Sequence, residues 1–199
     1  MHIDRLLISW RASSASGGFS GPDGLVVVVN TPVSMYNCSF SDFRSVTQDA
    51  AALVLKAESN SGSQRNYVYL ASLQRVSFTN ILSLRGAPLY ALGVSLQLKN
   101  SSFSGNHGQN AGAIKLADML SSFSDREFVA PTELTIDASH FTNNVATEAG
   151  ALLIRSNRDV NITHCVFANN TAEYARHTHT YHAPTLLSVL TLRLAADSM

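Results

Sequence analysis

Five phenylalanines, Phe40, Phe78, Phe103, Phe141 and Phe167, set a register that runs through most of the chain. The residues seven and five positions before them read Val33/Met35, Ala71/Leu73, Leu96/Leu98, Leu134/Ile136 and Val160/Ile162, and every one is apolar. The residue between each pair is polar: Ser34, Ser72, Gln97, Thr135 and Asn161. Alternation of this kind, recurring at a fixed offset from a Phe, describes a strand that buries one face in every repeat. A self-similar unit this short cannot bury its own apolar face. It needs a neighbour of the same kind stacked on it, so the repeat constrains the fold more than any other feature does.

Three residues after the Phe stand Asn106, Asn144 and Asn170 in the last three repeats, with Phe43 and Ile81 in the first two. Nine residues after the Phe a small residue opens a second apolar segment: Ala87, Gly112 and Gly150, with the first repeat slipped by two to Ala51. Each unit therefore reads strand, Phe corner, Asn turn, small residue, strand. The Phe-to-Phe spacings are 38, 25, 38 and 26, which resolves into a core of about 25 residues and two insertions, a polar, glycine-bearing one at 56–66 and another at 117–132. Both insertions follow the second strand, so in a stacked array they leave from one corner. Parallel stacking places Phe on Phe and Asn on Asn as ladders. A leucine-rich repeat needs a Leu-x-x-Leu-x-Leu frame, which does not recur here, and a β-sandwich has no reason to keep a common register. The expected fold is all-β, a right-handed parallel β-helix of about five to six coils. It would comprise an irregular segment 1–24, a repeat domain 25–176 and a tail or cap 177–199.

The run Phe-x-x-Asn followed by a small pair, Ala or Gly and an aliphatic resembles the repeat of the chlamydial polymorphic outer membrane proteins and other pectin-lyase-like β-helices. Phe103 with Asn106 and Gly112-Ala113-Ile114 carries the likeness, as does Phe141 with Asn144 and Gly150-Ala151-Leu152; Phe167 with Asn170 gives the first half. Ala111-Gly112 and Ala149-Gly150 stand where that family tends to have two glycines. The likeness covers about residues 25 to 172. It implies a β-helix displayed outside the cell, in adhesion or as a surface scaffold, and it implies no catalytic residues.

Composition narrows the partners. The net charge is zero with 14% charged residues, and Lys56, Lys99 and Lys115 are scattered. Nucleic acid and anionic membrane surfaces, which are held by clustered Lys and Arg, are therefore not expected partners. The longest uninterrupted apolar run, at 25–29, falls far short of the roughly 20 residues that cross a bilayer, so no membrane span is expected. The N-terminus is a poor signal peptide. Cys38 and Cys165 form no Cys/His cluster and lie at one offset, four units apart, which predicts two free thiols. Four glycosylation sequons begin at Asn37, Asn100, Asn161 and Asn169.

The same fold class also hosts polysaccharide lyases and glycoside hydrolases, which need two or three carboxylates close together. Here Asp42, Asp49, Asp118, Asp125, Asp137 and Asp159 read as isolated acids, and Asp125-Arg126-Glu127 sits inside an insertion. His177, His179 and His182 match no common metal spacing and read as a polar linker, and His140 and His164 read as surface or turn residues. The expectation is a non-catalytic module, extracellular or cell-surface, with no catalytic residue, cofactor or metal. A carbohydrate or protein partner would be met through surface loops; the alternative is a carbohydrate-active β-helix enzyme.

Overall fold

The computed structural model of the 199-residue chain describes residues 1–5, 7–9, 24–45, 51–57, 69–84, 86–117, 132–155 and 159–173. The interiors of both insertions, the histidine group at 177–182 with the rest of the tail, and Asp49, Asp118 and Asp125 lie outside the described residues. What is described is all-β, in four sheets whose strand pairings are all parallel, with no helix. No helix among the described residues is long and apolar enough to cross a membrane.

The first sheet holds His2–Asp4, Val33–Tyr36, Tyr69–Gln74, Val94–Lys99, Glu133–Asp137 and Asp159–Thr163. The second holds Leu7–Ser9 and the Phe strands Ser39–Ser41, Ser77–Thr79, Ser102–Ser104, His140–Thr142 and Val166–Ala168. The third is made of two-residue strands, Arg44–Ser45, Leu82–Ser83, His107–Gly108, Val145–Ala146 and Thr171–Ala172. The fourth comprises Gly24–Val29, Ala51–Lys56, Leu89–Leu92, Ile114–Ala117 and Leu152–Arg155. From residue 33 onward each pass of the chain visits the four sheets in the same order.

Register follows the Phe alignment. Phe40 pairs with Phe78, Phe78 with Phe103, Phe103 with Phe141 and Phe141 with Phe167. Leu53 pairs with Leu89, which accounts for the two-residue slip of the first repeat. The segment 1–24 departs from expectation: it is not irregular throughout, because His2–Asp4 pairs with the strand Val33–Tyr36 and Leu7–Ser9 with Ser39–Ser41. Ile8 takes the Phe position there, so the aromatic marker that reveals the other passes is missing.

The alternating apolar residues point into one continuous core. Met35, Leu73, Leu96, Leu98, Leu134 and Ile136 are buried from the first sheet, and Leu53, Leu55, Leu89, Ile114 and Leu116 from the fourth. The Phe rings stack face to face, with centroids 4.7, 4.7, 5.1 and 4.7 Å apart and planes within 7° of parallel. Each Phe is the middle residue of a three-residue strand, so the position is a strand centre and not a corner. On the last described pass Phe167 is half-buried.

The corners are made by other residues. The position three before the Phe takes a left-handed backbone at Asn37, Arg75, Asn100, Ala138 and His164, with φ between 48° and 54°. The position two after the Phe does so at Asp42, Asn80, Gly105, Asn143 and Asn169. An L-residue pays about 1–2 kcal/mol for this conformation, least for Asn and Asp and nothing for Gly, which is why those types recur. The expected Asn turn is thus displaced by one residue, from Asn106, Asn144 and Asn170 onto their predecessors.

Asn106, Asn144 and Asn170 lie directly inside that turn and form a hydrogen-bonded ladder. Asn106 Nδ2 donates to Asn144 Oδ1 and Asn144 Nδ2 to Asn170 Oδ1, each at 2.9 Å. Their second amide protons go to carbonyls one pass back: Asn106 to Phe78, Asn144 to Phe103, and Asn170 to Phe141. Their oxygens also accept the backbone N–H of the preceding pass, from Ile81, Asn106 and Asn144. Asn144, with no exposed surface, thereby fills both donor and both acceptor sites of its amide. A second polar ladder was not anticipated from the sequence. Two residues before the Phe, Val76 N donates to Ser101 Oγ and Ser101 N to Ser139 Oγ, each at 3.1 Å, while both hydroxyls donate to carbonyls two residues back.

Cys38 and Cys165 occupy the ends of that same row, and both are free thiols. Four passes at about 4.8 Å put them roughly 19 Å apart, beyond disulfide reach. Gly112 and Gly150 stand where backbones nearly touch. A Cβ on Gly112 would run into the Gly150 carbonyl oxygen, and one on Gly150 into the backbone of Asn170 and Thr171.

Candidate functional site

Because the ladders consume the inward side chains, chemistry available to a ligand lies on outward ones. The outer face of the first sheet carries the most varied set. Its row beside the corner reads Tyr36, Gln74, Lys99, Asp137 and Thr163, and the next reads Ser34, Ser72, Gln97, Thr135 and Asn161. Strand alternation turns both rows to the solvent side, and every residue in them is half-buried or exposed. The second sheet's outer face, by contrast, is mainly short hydroxyls, with Ser77 Oγ donating to Ser39 Oγ at 2.8 Å and Thr142 Oγ1 to Ser104 Oγ at 3.2 Å.

At one end of the first face Arg75 leaves its corner to donate to the Tyr36 hydroxyl at 2.6 Å, with its guanidinium carbon 5.4 Å from the Tyr36 ring centre. At the other end Asp137 accepts from Thr163 Oγ1 and from His164 Nδ1, each at 2.9 Å. The His164 side chain is 81% exposed and that of Asp137 31%, so the pair clips neighbouring passes together at the surface. The His164 hydrogen bond, and after it that of Thr163, holds the Asp137 carboxyl below the usual carboxylate range. Burial pushes the neighbouring Cys165 thiol up, keeping it protonated and a weak nucleophile.

A lowered carboxyl pKa fixes the sign of a pH effect. The folded chain binds the Asp137 proton less readily than the unfolded chain, so the clip's contribution is present above pH about 4 and fades as pH falls below it. Urea midpoints of the parent chain and of Asp137→Asn should therefore lie furthest apart at neutral pH and converge in acid. A gap independent of pH would rule out ionised Asp137 as its source.

Asp137 has no acid above or below it; its strand neighbours are Lys99 and Thr163. The reading of the acids as isolated needs one correction: Glu133 pairs in register with Asp159, and both are exposed. They stand at the same offset, eight residues before Phe141 and Phe167, and a survey restricted to aspartates overlooks the glutamate. Their backbones are about 4.8 Å apart along the stack, which lets two flexible carboxyl side chains reach the roughly 5–5.5 Å separation at which acid and nucleophile act in retaining glycoside hydrolysis. Asp42 is a corner residue whose carboxylate accepts from Asn80 Nδ2 at 3.4 Å, and His140 is exposed on the second sheet. Among the described residues no group of three or more His, Cys, Asp or Glu is placed to hold a metal ion.

Of the residues singled out in the sequence, the phenylalanines, the three ladder asparagines and the two glycines come together in the interior and its corner. The sequon asparagines Asn37, Asn100, Asn161 and Asn169 are all exposed. Comparison of the chain with known protein families, with curated proteins and with solved structures returns no match.

Proposed function

We propose that the four sheets are the faces of a right-handed parallel β-helix of the pectin-lyase-like kind, serving as a non-catalytic module of a surface or secreted protein in adhesion or as a scaffold. A fixed visiting order through four parallel sheets supports the winding, and its hand follows from the near-universal right-handed crossover between parallel strands. The unbroken Phe stack is the observation that carries the functional reading. It commits each pass to a rigid rod, and the outer face of the first sheet offers hydrogen-bonding groups in rows along that rod. Such a face suits an extended polyhydroxylated chain lying across the strands, bound at many weak points.

The register of Glu133 with Asp159 favours a second reading, a carbohydrate-active enzyme in which these two carboxyls are general acid and nucleophile. A panel of neutral and acidic polysaccharides, incubated with the folded protein with and without calcium, separates the two. The scaffold reading expects binding without chain shortening, weakened when Gln97, Lys99 and Thr135 are replaced by Ala. Cleavage that disappears in both Glu133→Gln and Asp159→Asn would overturn it in favour of the enzyme.

A further inference from the structure

Resting on the surface or secreted reading, the geometry points to Asn100 and Asn169 as N-glycan attachment sites that stay competent after the chain has folded. All four sequon asparagines are exposed, so exposure alone does not distinguish them. What distinguishes them is the hydroxyl two residues on, which an oligosaccharyl transferase must engage together with the amide.

In two sequons the fold already engages that hydroxyl in a side-chain hydrogen bond. Ser39, which serves Asn37, accepts from Ser77 Oγ at 2.8 Å. Thr163, which serves Asn161, donates to Asp137 at 2.9 Å, and Asn161 itself lies within the strand Asp159–Thr163. The other two are open. Asn100 and Asn169 occupy left-handed corners with φ of 50° and 54°, a conformation Asn37 shares at 52°, so it is the hydroxyl two residues on that separates them. Ser102 is half-buried and Thr171 exposed, and neither hydroxyl is hydrogen-bonded by a described residue. The ladder asparagines mark the contrast: Asn106 and Asn144 are buried with their amides spent on the core.

The reaction joins Asn Nδ2 to the anomeric carbon of an oligosaccharide carried on a lipid diphosphate. The anomeric C–O bond breaks, the lipid diphosphate leaves with the bonding pair, and the amide loses one proton. No oxidant or reductant is involved. Glycans at these two places would project from the corners flanking the second sheet, the one on Asn100 beside Lys99 at the edge of the first sheet's outer face.

Transfer to the folded chain in vitro is the test, using a purified oligosaccharyl transferase, its lipid-linked oligosaccharide and site mapping by mass spectrometry. A urea-unfolded sample rapidly diluted into the enzyme gives the comparison. The expected result is glycan on Asn100 and Asn169 in the folded sample, absent in Asn100→Gln and Asn169→Gln respectively. Asn37 and Asn161 should be modified only in the unfolded sample. A folded chain that stays bare while the unfolded one is modified, or that is modified equally at all four, would overturn the inference. Glycan mapping of the protein isolated from its own source tests the localisation separately: a native chain bare at all four sequons, while the folded chain is modified at Asn100 and Asn169 in vitro, counts against the secreted reading and leaves the site assignment intact.

Discussion

Replacing Phe103 by Ala is expected to destabilise the fold by about 3–5 kcal/mol, the range for truncating a buried aromatic in a core that cannot collapse. Phe103 has no exposed surface and stacks on a ring on either side, at 4.7 Å on Phe78 and 5.1 Å on Phe141. Its removal leaves a gap between rings held by their own strands, since the parallel ladders fix the spacing of the passes and forbid closure. Phe167→Ala removes the same atoms at the last described pass, where the ring is half-buried and, among the described residues, stacks only on Phe141, at 4.7 Å. Its cost should be about half as large, by the area bookkeeping for apolar burial. Urea midpoints of the two variants, read with their slopes, check the ranking: equal losses would mean the stack is not a shared core.

How much of this was legible in the sequence depends on whether a position repeats its chemistry. The Phe row, the period-two strands and the two-residue slip before Leu53 were all visible, because an inward row must stay apolar in every pass and the eye can align it. The first pass was hidden because Ile8 stands in register with Phe40 and the aromatic marker is missing there. The corners were displaced by one residue for a different reason. The row that makes this turn reads Asp42, Asn80, Gly105, Asn143 and Asn169, mixing three residue types, while the row behind it holds Asn in each of the last three passes and draws attention. The serine ladder through Ser101 and Ser139 was missed because its row begins and ends with Cys and contains Val76. All three types are small enough to point inward, and only coordinates show that the two serines also complete backbone hydrogen bonds. Outward rows obey no such constraint, so the pairing of Glu133 with Asp159 follows from register alone.

Asn144→Ile should cost more than Asn106→Ile, although the row demonstrably accepts an isoleucine at Ile81, which is 1% exposed. The difference lies in what each amide serves. Asn144 Oδ1 accepts both the backbone N–H and one side-chain proton of Asn106, so its loss strands two buried donors on the pass before it, and the Phe103 carbonyl loses a donor as well. At about 1–3 kcal/mol for each buried group left without a partner, the change should cost roughly 3–5 kcal/mol. Asn106→Ile likewise takes a donor from a carbonyl, that of Phe78, but strands only one donor, the Ile81 N–H, because Asn144 keeps its own donors and still accepts from the backbone of residue 106. Its cost should be about 1–3 kcal/mol. The double replacement then tests the ladder as a unit: with isoleucine at both positions the stranded Asn106 side-chain proton no longer exists, so the double variant should lose less than the sum of the two singles. Strict additivity in equilibrium unfolding would show that the three asparagines act independently and that no ladder carries energy between passes.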